Sequence, residues 1–174
     1  MKIAVSGTHC SGKTSLIEEL SRELVTYEVV DEPYYLLEDE GHRFAETPCL
    51  EDFELQLDRM IQCIADTRGD GLFERCPVDF LAYLLADRDV VGFDVAAWLP
   101  RVRPAMEELD LLVFVPVESP DRIQVPASEA GLRRRVDRQL RRLYTDNPWE
   151  FDVPILEVTG TTSERARTVL ARLR

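Results

Sequence analysis

The fold of this chain is decided by one stretch, Ser6-Gly7-Thr8-His9-Cys10-Ser11-Gly12-Lys13-Thr14-Ser15, which has the spacing G-x-x-x-x-G-K-T. A short apolar run, Ile3-Ala4-Val5, precedes it. Apolar residues follow it at helical spacing: Leu16, Ile17, Leu20 and Leu24. A strand, a glycine-rich loop and a helix in this order are typical of a phosphate-binding loop. The alternative, a glycine-rich connection without a ligand, leaves these flanks unexplained.

Each residue type in this loop has a task in nucleotide binding. Gly7 and Gly12 permit turns that direct consecutive backbone N–H groups toward phosphate oxygens, and the helix N-terminus adds its positive end. Lys13 supplies a cation for the β- and γ-phosphates. The Thr14 hydroxyl is a ligand for Mg²⁺, which binds oxygen and keeps several waters. We therefore expect ATP and Mg²⁺ as cofactors, with the nucleotide bound by Gly7, Cys10, Ser11, Gly12, Lys13, Thr14 and Ser15.

The composition bounds the class of protein. The chain has 174 residues, of which 45% are hydrophobic and 31% charged, so we expect a single domain spanning residues 1–174. The formal net charge of −12 argues against binding to a nucleic-acid polymer or an anionic membrane, because both require a basic surface. The expected partners are therefore ATP and a small-molecule acceptor, and a homodimer is compatible with this sequence.

Two further observations concern the cellular compartment. The chain enters a strand pattern directly, without a charged segment and an apolar segment in front of it, and it has no long apolar run, so we expect a cytoplasmic protein. Cys10, Cys49, Cys63 and Cys76 form no C-x-x-C pair, which favours reduced thiols. Cys10 lies in the phosphate loop, where it is either a small filler or a thiol activated by the positive field.

Strand patterns alternate with helical patterns along the whole chain. After the first strand, strands are predicted at 27–30, 72–75, 111–115 and 154–158, and the run at 111–115 is the most hydrophobic. Helices are predicted between them. This alternation predicts an α/β fold, a three-layer sandwich in which a five-stranded parallel sheet has helices on both faces and ligands at the carboxyl ends of the strands.

Several segments between the strands have features of their own. Residues 34–49, with Gly41 and Pro48, are predicted to form a loop or short helix over the site. Residues 50–67 form a helix with one apolar face, and Asp52, Gln56 and Arg59 lie off that face. Residues 94–109 look helical, but Pro100 and Pro104 should break or kink that segment. A loop over 116–131 leads into a strongly basic helix.

Polar clusters follow the predicted strands at their carboxyl ends. Asp31 and Glu32 follow the second strand, Glu74 and Arg75 end the third, and an arginine-rich helix follows the fourth. The carboxyl ends of parallel strands share one edge of the sheet, so these side chains should converge on the bound phosphates. Phosphoryl transfer needs such a set: a carboxylate for the acceptor proton, Mg²⁺, and cations for the developing charge.

These residues resemble a known group of proteins. The phosphate loop, Glu32-Pro33, Phe73-Glu74-Arg75 and the arginine-rich segment, in this order, look like the P-loop kinases of the deoxynucleoside kinase group. The same order is similar to the ribosylnicotinamide-kinase-like P-loop ATPases of AAA type, whose Asp/Glu-Arg-x-Pro-x-Asp-x-x-Ala-Tyr pattern is matched over 74–83. The resemblance spans most of the chain and implies a P-loop NTPase fold.

The resemblance also implies roles for individual residues. Glu32 would be the general base toward the acceptor hydroxyl, with Asp31 as its competitor. Glu74 would hold Mg²⁺ through water, alongside Thr14. Arg75 would orient the acceptor or a phosphate, or alternatively form a buried structural pair. Together with Lys13 these residues form the expected catalytic centre.

The basic helix resembles a lid, over about 117–145, that closes on the phosphates. Its candidate residues are Arg133, Arg134 and Arg138, and the alternative is a solvated charged face. One departure from the group is that the fourth strand has no carboxylate at its end. Another is that the glutamine that faces a base in deoxynucleoside kinases has no certain counterpart, although Gln56 and Arg59 are near the expected helix. His9 and His42 are interpreted as structural or solvent-facing.

The sequence therefore predicts an ATP- and Mg²⁺-dependent kinase. The expected reaction transfers the γ-phosphoryl group to a hydroxyl of a nucleoside- or nucleotide-like acceptor. One alternative is a nucleotide-dependent ATPase or regulatory switch without a small acceptor. Another is a kinase for a metabolite that is not a nucleoside.

Overall fold

The computed structural model describes residues 1–46, 49–86 and 92–174. Its five strands form one parallel sheet in the order β2-β3-β1-β4-β5. They are β1 (Lys2–Ser6), β2 (Glu28–Val30), β3 (Gly71–Glu74), β4 (Leu111–Phe114) and β5 (Ile155–Glu157). The predicted five-stranded parallel α/β fold is confirmed.

The register of the sheet places the phosphate loop at its centre. β1 lies between β3 and β4, with Ala4 opposite both Phe73 and Leu112. β2 extends the sheet on the β3 side, with Val30 opposite Phe73. The loop that follows β1 therefore opens at the middle of the edge where the carboxyl ends of all the strands meet.

Helices cover both faces of the sheet, as predicted. The helices are α1 (Lys13–Glu23), α2 (Pro33–Asp39), α3 (Leu50–Asp66), α4 (Pro77–Ala86), α5 (Val95–Glu107), α6 (Ala127–Asp146) and α7 (Thr162–Arg172). On one face α1 and α7 bury side chains such as Leu20 and Val169 against the sheet. On the other face the core draws on α3, α4, α5 and α6, with residues such as Leu57 and Leu140. Two apolar layers thus hold the sheet rigid under the site.

The prolines of α5 do not break the helix, which was one of the two outcomes expected from the sequence. The helix continues from Val95 to Glu107 through both Pro100 and Pro104. Its start is capped by Asp94, which accepts a hydrogen bond from the backbone N–H of Ala96. Burial of residues on one face of α5, including Val102 and Met106, stabilises the helix despite the missing N–H groups.

One loop boundary differs from the prediction, and another segment agrees with it. The basic helix α6 begins at Ala127, so Gly131 lies inside the helix rather than at the end of a loop. Pro126 is the N-cap residue of this helix, where its missing N–H removes no hydrogen bond of the helix. Residues 34–49 contain the short helix α2 followed by a loop, and Pro48 lies outside the described residues.

Within the described ranges, no helix combines the length and apolar character needed to cross a membrane.

Candidate active site

The phosphate loop has the backbone conformation that its glycines were predicted to supply. Gly12 has φ +89° and caps the N-terminus of α1. Gly7 has φ +153°, and a Cβ atom there would lie 2.5 Å from the carbonyl oxygen of Val115. Glycine is therefore required at position 7 both for conformation and for the close approach of the segment after β4.

Cationic side chains bind the carbonyl oxygens of this loop. Arg75 Nη1 donates to Gly7 O (3.2 Å), and Lys13 Nζ donates to Thr8 O (3.2 Å). Arg133 donates to two carbonyls, from Nε to His9 O (3.1 Å) and from Nη2 to Cys10 O (2.9 Å). Arg165 Nη1 donates to Ser11 O (2.9 Å). These four residues form a cationic collar on the loop carbonyls. The amides of Gly7 and His9 are bound by Asp79 and Tyr83, and the other amides of the loop serve an anion.

Lys13 and Thr14 meet Glu74 at the start of α1. The Thr14 hydroxyl donates a hydrogen bond to Glu74 Oε1 at 2.9 Å, and Lys13 Nζ lies 3.8 Å from the same oxygen. Burial lowers the pKa of Lys13, and the charge of Arg75 adds to this effect. Burial raises the pKa of Glu74 although Lys13 opposes it. An anionic ligand at the loop would favour the charged form of this buried ammonium group.

These residues fit a nucleotide with Mg²⁺. The Ser11 hydroxyl is buried and has no hydrogen-bond partner within the described residues, as expected for a donor that serves a phosphate. Thr14 and Glu74 offer two oxygen ligands side by side. In the part of the chain that the structure describes, no cluster of three His, Cys, Asp or Glu side chains forms a complete metal cage. Two protein ligands suit Mg²⁺, which usually binds substrate phosphates and water as well.

Glu32 and Arg75 form an ion pair beside the loop. Arg75 Nε lies 2.7 Å from Glu32 Oε1, as an ion pair rather than an aligned hydrogen bond. Burial alone would raise the pKa of Glu32, but the charges of Arg75 and Lys13 outweigh it and hold that pKa below its ordinary value. Asp31, the competing candidate, is exposed and forms no ion pair with the residues that the structure describes. Glu32 therefore stays ionised at neutral pH.

The backbone at Arg75 is strained. Its φ is +81°, in the left-handed region that residues with a side chain rarely adopt. This conformation sends the guanidinium back toward the loop, with Nη1 on the Gly7 carbonyl. Its side chain is buried, and it also packs over the ring of Tyr83 at 5.3 Å. Strain of this kind persists where surrounding contacts determine the conformation, and it is common at active sites.

Asp79 is a central residue whose role the sequence analysis missed. Its carboxylate is completely buried and accepts hydrogen bonds from Gly7 N (2.8 Å), Ser6 Oγ (3.0 Å) and Cys76 N (2.9 Å). It thereby links the start of the phosphate loop to the start of α4. The sequence feature that could have identified Asp79 is its place in the 74–83 pattern, in the first turn of a helix that begins at Pro77.

Tyr83 and His9 connect the loop to α4. The Tyr83 hydroxyl accepts from His9 N (2.7 Å) and lies 2.8 Å from His9 Nδ1. Burial and then the charges of Arg75, Lys13 and Arg133 lower the pKa of His9 to about 4, so its ring is neutral at neutral pH. His9 thus contacts Tyr83 of α4, and its neutral ring lines the cavity described next.

A cavity of about 230 Å³ opens beside Glu32 and Arg75. Aromatic rings dominate its walls, and its polar side chains are few; the lining residues are His9, Glu32, Tyr34, Phe44, Ala45, Asp52, Phe53, Gln56, Arg75, Phe80, Tyr83 and Leu132. Gln56 and Asp52 are buried although they lie off the apolar face of α3, because they face this cavity. Arg59 does not line it and pairs with Glu40 instead.

The three arginines predicted for a lid occupy different surroundings. Arg133 is buried, and it contacts Asp121 as well as the loop carbonyls. Arg134 and Arg138 are exposed, and all three arginines line a second cleft of about 650 Å³ between α6 and residues 117–125. The structure thus brings Arg133 to the phosphate loop but not the other two. Arg165, which the sequence analysis missed, reaches the loop from α7.

The architecture is that of the P-loop kinases. Deoxyadenosine kinase from M. mycoides with bound dATP superposes with a TM-score of 0.65 at 16% identity, covering 99% of both chains. Thymidylate kinase from Ehrlichia chaffeensis gives 0.71 at 13% identity, covering 100% of this chain and 98% of that one. Shikimate kinase from Aquifex aeolicus gives 0.58 at 16%, covering 99% and 96%. At these identities the likeness establishes the fold.

The family follows from the sequence match. Residues 2–165 match the protein family described as AAA domain, and the chain belongs to that family. No curated protein sequence matches this chain. The P-loop kinase resemblance expected from the motifs is thus confirmed at the level of fold.

Proposed function

We propose that this chain is a kinase that transfers the γ-phosphoryl group of ATP to a hydroxyl of a small, ring-bearing acceptor, with a nucleoside as the favoured class. One observation carries the proposal. The ion pair between Glu32 and Arg75 lines the aromatic cavity, and the same Arg75 donates to the first glycine of the phosphate loop. A carboxylate that faces an acceptor pocket is thereby held at the donor loop, as in-line transfer requires.

The side chains can divide the transfer step between them. The acceptor oxygen forms a bond to the γ-phosphorus while the bond from that phosphorus to the β,γ-bridging oxygen breaks, and ADP leaves with the electron pair. The acceptor hydroxyl donates to Glu32, which receives its proton. A strong base is unnecessary because the transition state is loose, so the lowered pKa of Glu32 is compatible with this role. Lys13 and Arg75 oppose the charge on the transferred group.

Thr14 and Glu74 would hold Mg²⁺ on the donor side. Their oxygens lie 2.9 Å apart, next to the ammonium of Lys13. The bound ion would neutralise charge on the β- and γ-phosphates. These residues otherwise position the phosphate loop against β3.

The charge of the cavity favours an uncharged acceptor. Of its lining residues, Arg75 is the one arginine or lysine, and Glu32 and Asp52 are the acids. His9, with a pKa of about 4, adds no charge at neutral pH. The cavity therefore has no spare cation for a phosphate or carboxylate of the acceptor, which favours a nucleoside over a nucleotide. A cavity of about 230 Å³ beside the carboxylate also favours a kinase over a switch without an acceptor.

The lid remains a proposal with its own test. Arg134 and Arg138 are exposed on α6, while the buried Arg133 is bound to the loop. If the lid closes on ATP, Arg138→Ala should lower kcat by about tenfold or more and leave the thermal midpoint of the free protein unchanged. An unchanged kcat in both Arg134→Ala and Arg138→Ala would remove these two residues from the active site.

The decisive experiment measures ADP release with Mg-ATP against adenosine, guanosine, cytidine, uridine, thymidine, their deoxy forms, the matching nucleoside monophosphates and shikimate. We expect ADP release to rise with a nucleoside. Lys13→Ala should abolish ATP binding by calorimetry. Lys2→Ala is the control, because Lys2 is the other lysine of the chain and pairs with Glu108 away from the loop. Slow ATP hydrolysis at the same rate with and without every acceptor would contradict the proposed kinase activity.

The homodimer stays a prediction, which light scattering of the purified protein would test.

A further inference from the structure

The outer wall of the aromatic cavity is a short segment, residues 42–46, that is tied to α3. Phe44, at its centre, stacks on Tyr34 with ring centroids 4.3 Å apart and planes inclined by 15°. His42 packs edge-on against Phe44 at 4.6 Å. Both Tyr34 and Phe44 line the cavity. We call this pair of stacked rings the aromatic wall.

One carboxylate of α3 binds the segment at two points. Asp52, in the first turn of α3, accepts a hydrogen bond from Ala45 N at 3.0 Å through Oδ2 and lies 3.2 Å from His42 Nε2 through Oδ1. Its contacts thus lie on both sides of Phe44 in the sequence. Although burial opposes the charge, the hydrogen bonds from Ala45 and His42 hold the pKa of Asp52 below its ordinary value.

We propose that Asp52 is a positioning residue for the acceptor, whose carboxylate fixes residues 42–46 so that the aromatic wall closes the cavity on a flat ring. This inference rests on the proposed kinase function. It adds a residue that lies outside the phosphate loop and outside the Glu32–Arg75 pair. A backbone hydrogen bond from His42 N to Leu37 O (2.9 Å) fixes the start of the segment, and Asp52 fixes the part that carries Phe44.

The chain offers a matched control at Glu40, two residues before this segment. Glu40 pairs with Arg59 of α3 at 2.6 Å, and its side chain is exposed and outside the cavity. Glu40→Gln and Asp52→Asn both convert a carboxylate into an amide of nearly the same shape. The two changes therefore remove one tie each between α3 and the residues around the wall.

The first measurement needs no activity. Hydrogen exchange at the Ala45 amide should accelerate by about tenfold or more in Asp52→Asn, because its acceptor is weakened, and should stay unchanged in Glu40→Gln. Equal protection in all three proteins would overturn the inference. A general loss of protection across α3 would also overturn it, since Asp52 would then serve the helix and not the wall.

The second measurement uses the nucleoside that gives the largest ADP release. Asp52→Asn should raise its KM by about tenfold, with kcat and the KM for ATP changed by less than about threefold, whereas Glu40→Gln should change none of them. Phe44→Leu removes the wall directly and should raise the same KM. The variant that carries both Asp52→Asn and Phe44→Leu should have nearly the same KM as Phe44→Leu alone, because both changes remove the same aromatic wall.

The outcomes separate the two proposals. If wild-type protein phosphorylates a nucleoside and Asp52→Asn leaves its KM unchanged, the role of Asp52 is wrong and the kinase stands. If the effects of Asp52→Asn and Phe44→Leu are fully additive, Asp52 contacts the acceptor itself and the positioning role is wrong. If wild-type protein phosphorylates no acceptor, the proposed function fails and the inference fails with it.

Discussion

Arg75 Nε lies 2.7 Å from Glu32 Oε1, which joins the proposed general base and the orienting cation at the ends of adjacent strands β2 and β3. The two residues are far apart in sequence and meet because parallel strands end at one edge. Arg75 is in turn bound to the phosphate loop through Gly7 O. The pair thus connects the donor and acceptor sides of the site.

Glu32→Gln tests the carboxylate in this pair. The amide keeps the shape of the side chain but cannot receive the acceptor proton, so kcat should fall by about 10²-fold or more. ATP affinity measured by calorimetry should change little, because among the described residues Glu32 pairs with Arg75 and makes no hydrogen bond to the phosphate loop. Asp31→Asn, a change at the exposed neighbour, should leave kcat unchanged. A large fall in Asp31→Asn with normal turnover in Glu32→Gln would reverse the assignment.

Acidification should affect ATP use before it affects Glu32. Burial raises the pKa of Glu74 above its ordinary value of 4.5, whereas Arg75 and Lys13 hold the pKa of Glu32 below 4.5. As pH falls, a carboxylate with a raised pKa takes up its proton first. The acid limb of kcat/KM for ATP, which reports the free enzyme, should therefore lie above pH 4.5. A limb below that pH, unchanged in Glu74→Gln, would exclude Glu74 as its source.

The sequence predicted the parts of the site that local patterns encode. The spacing around Lys13 and Thr14 identifies the phosphate loop, and strand patterns that end at Glu32 and at Glu74 put both carboxylates at one edge. Parallel sheet geometry then brings these groups together without knowledge of any side-chain contact. The fold followed from the same alternation of strands and helices.

The missed residues have contacts that no local pattern encodes. Arg165 and Ser11 are 154 positions apart, and Asp79 and Gly7 are 72 apart. Asp52 lies off the apolar face of its helix, but it lines the aromatic cavity and is buried there. The helix α5 continues through its two prolines for a related reason, since burial of one helix face against the core outweighs the low helix propensity of proline. Long-range pairing and cavities depend on the assembled layers.

Arg165→Ala tests the cationic collar of the phosphate loop. Arg165 is buried, and it donates to Ser11 O at 2.9 Å and to Glu118 Oε1 at 2.7 Å. Its removal leaves a loop carbonyl without its partner, so the KM for ATP should rise by about tenfold while the KM for the acceptor stays the same. Arg167→Ala is the control, because Arg167 is exposed on the same helix. An equal rise in the KM for ATP in both variants would show that the arginines of α7 act on ATP through their charge and not through the contact with Ser11 O.

Asp79→Asn tests whether one buried carboxylate organises the start of the loop. Asp79 accepts from Gly7 N and Ser6 Oγ through Oδ1 and from Cys76 N through Oδ2. An asparagine side chain has a single acceptor oxygen, and its NH₂ group would face one of the N–H donors. The free energy of unfolding in urea should therefore fall by about 2–3 kcal/mol, the cost of buried donors without acceptors.

The control for this change is Asp146→Asn, which removes a carboxylate from an exposed pair with Arg142 on α6. Its effect on the free energy of unfolding should stay within about 0.5 kcal/mol, as for other surface pairs. The loop should weaken along with the fold in Asp79→Asn, so ATP affinity should fall even at temperatures where the variant is fully folded. Normal ATP affinity in a folded but destabilised Asp79→Asn protein would confine Asp79 to the core and separate it from the phosphate loop.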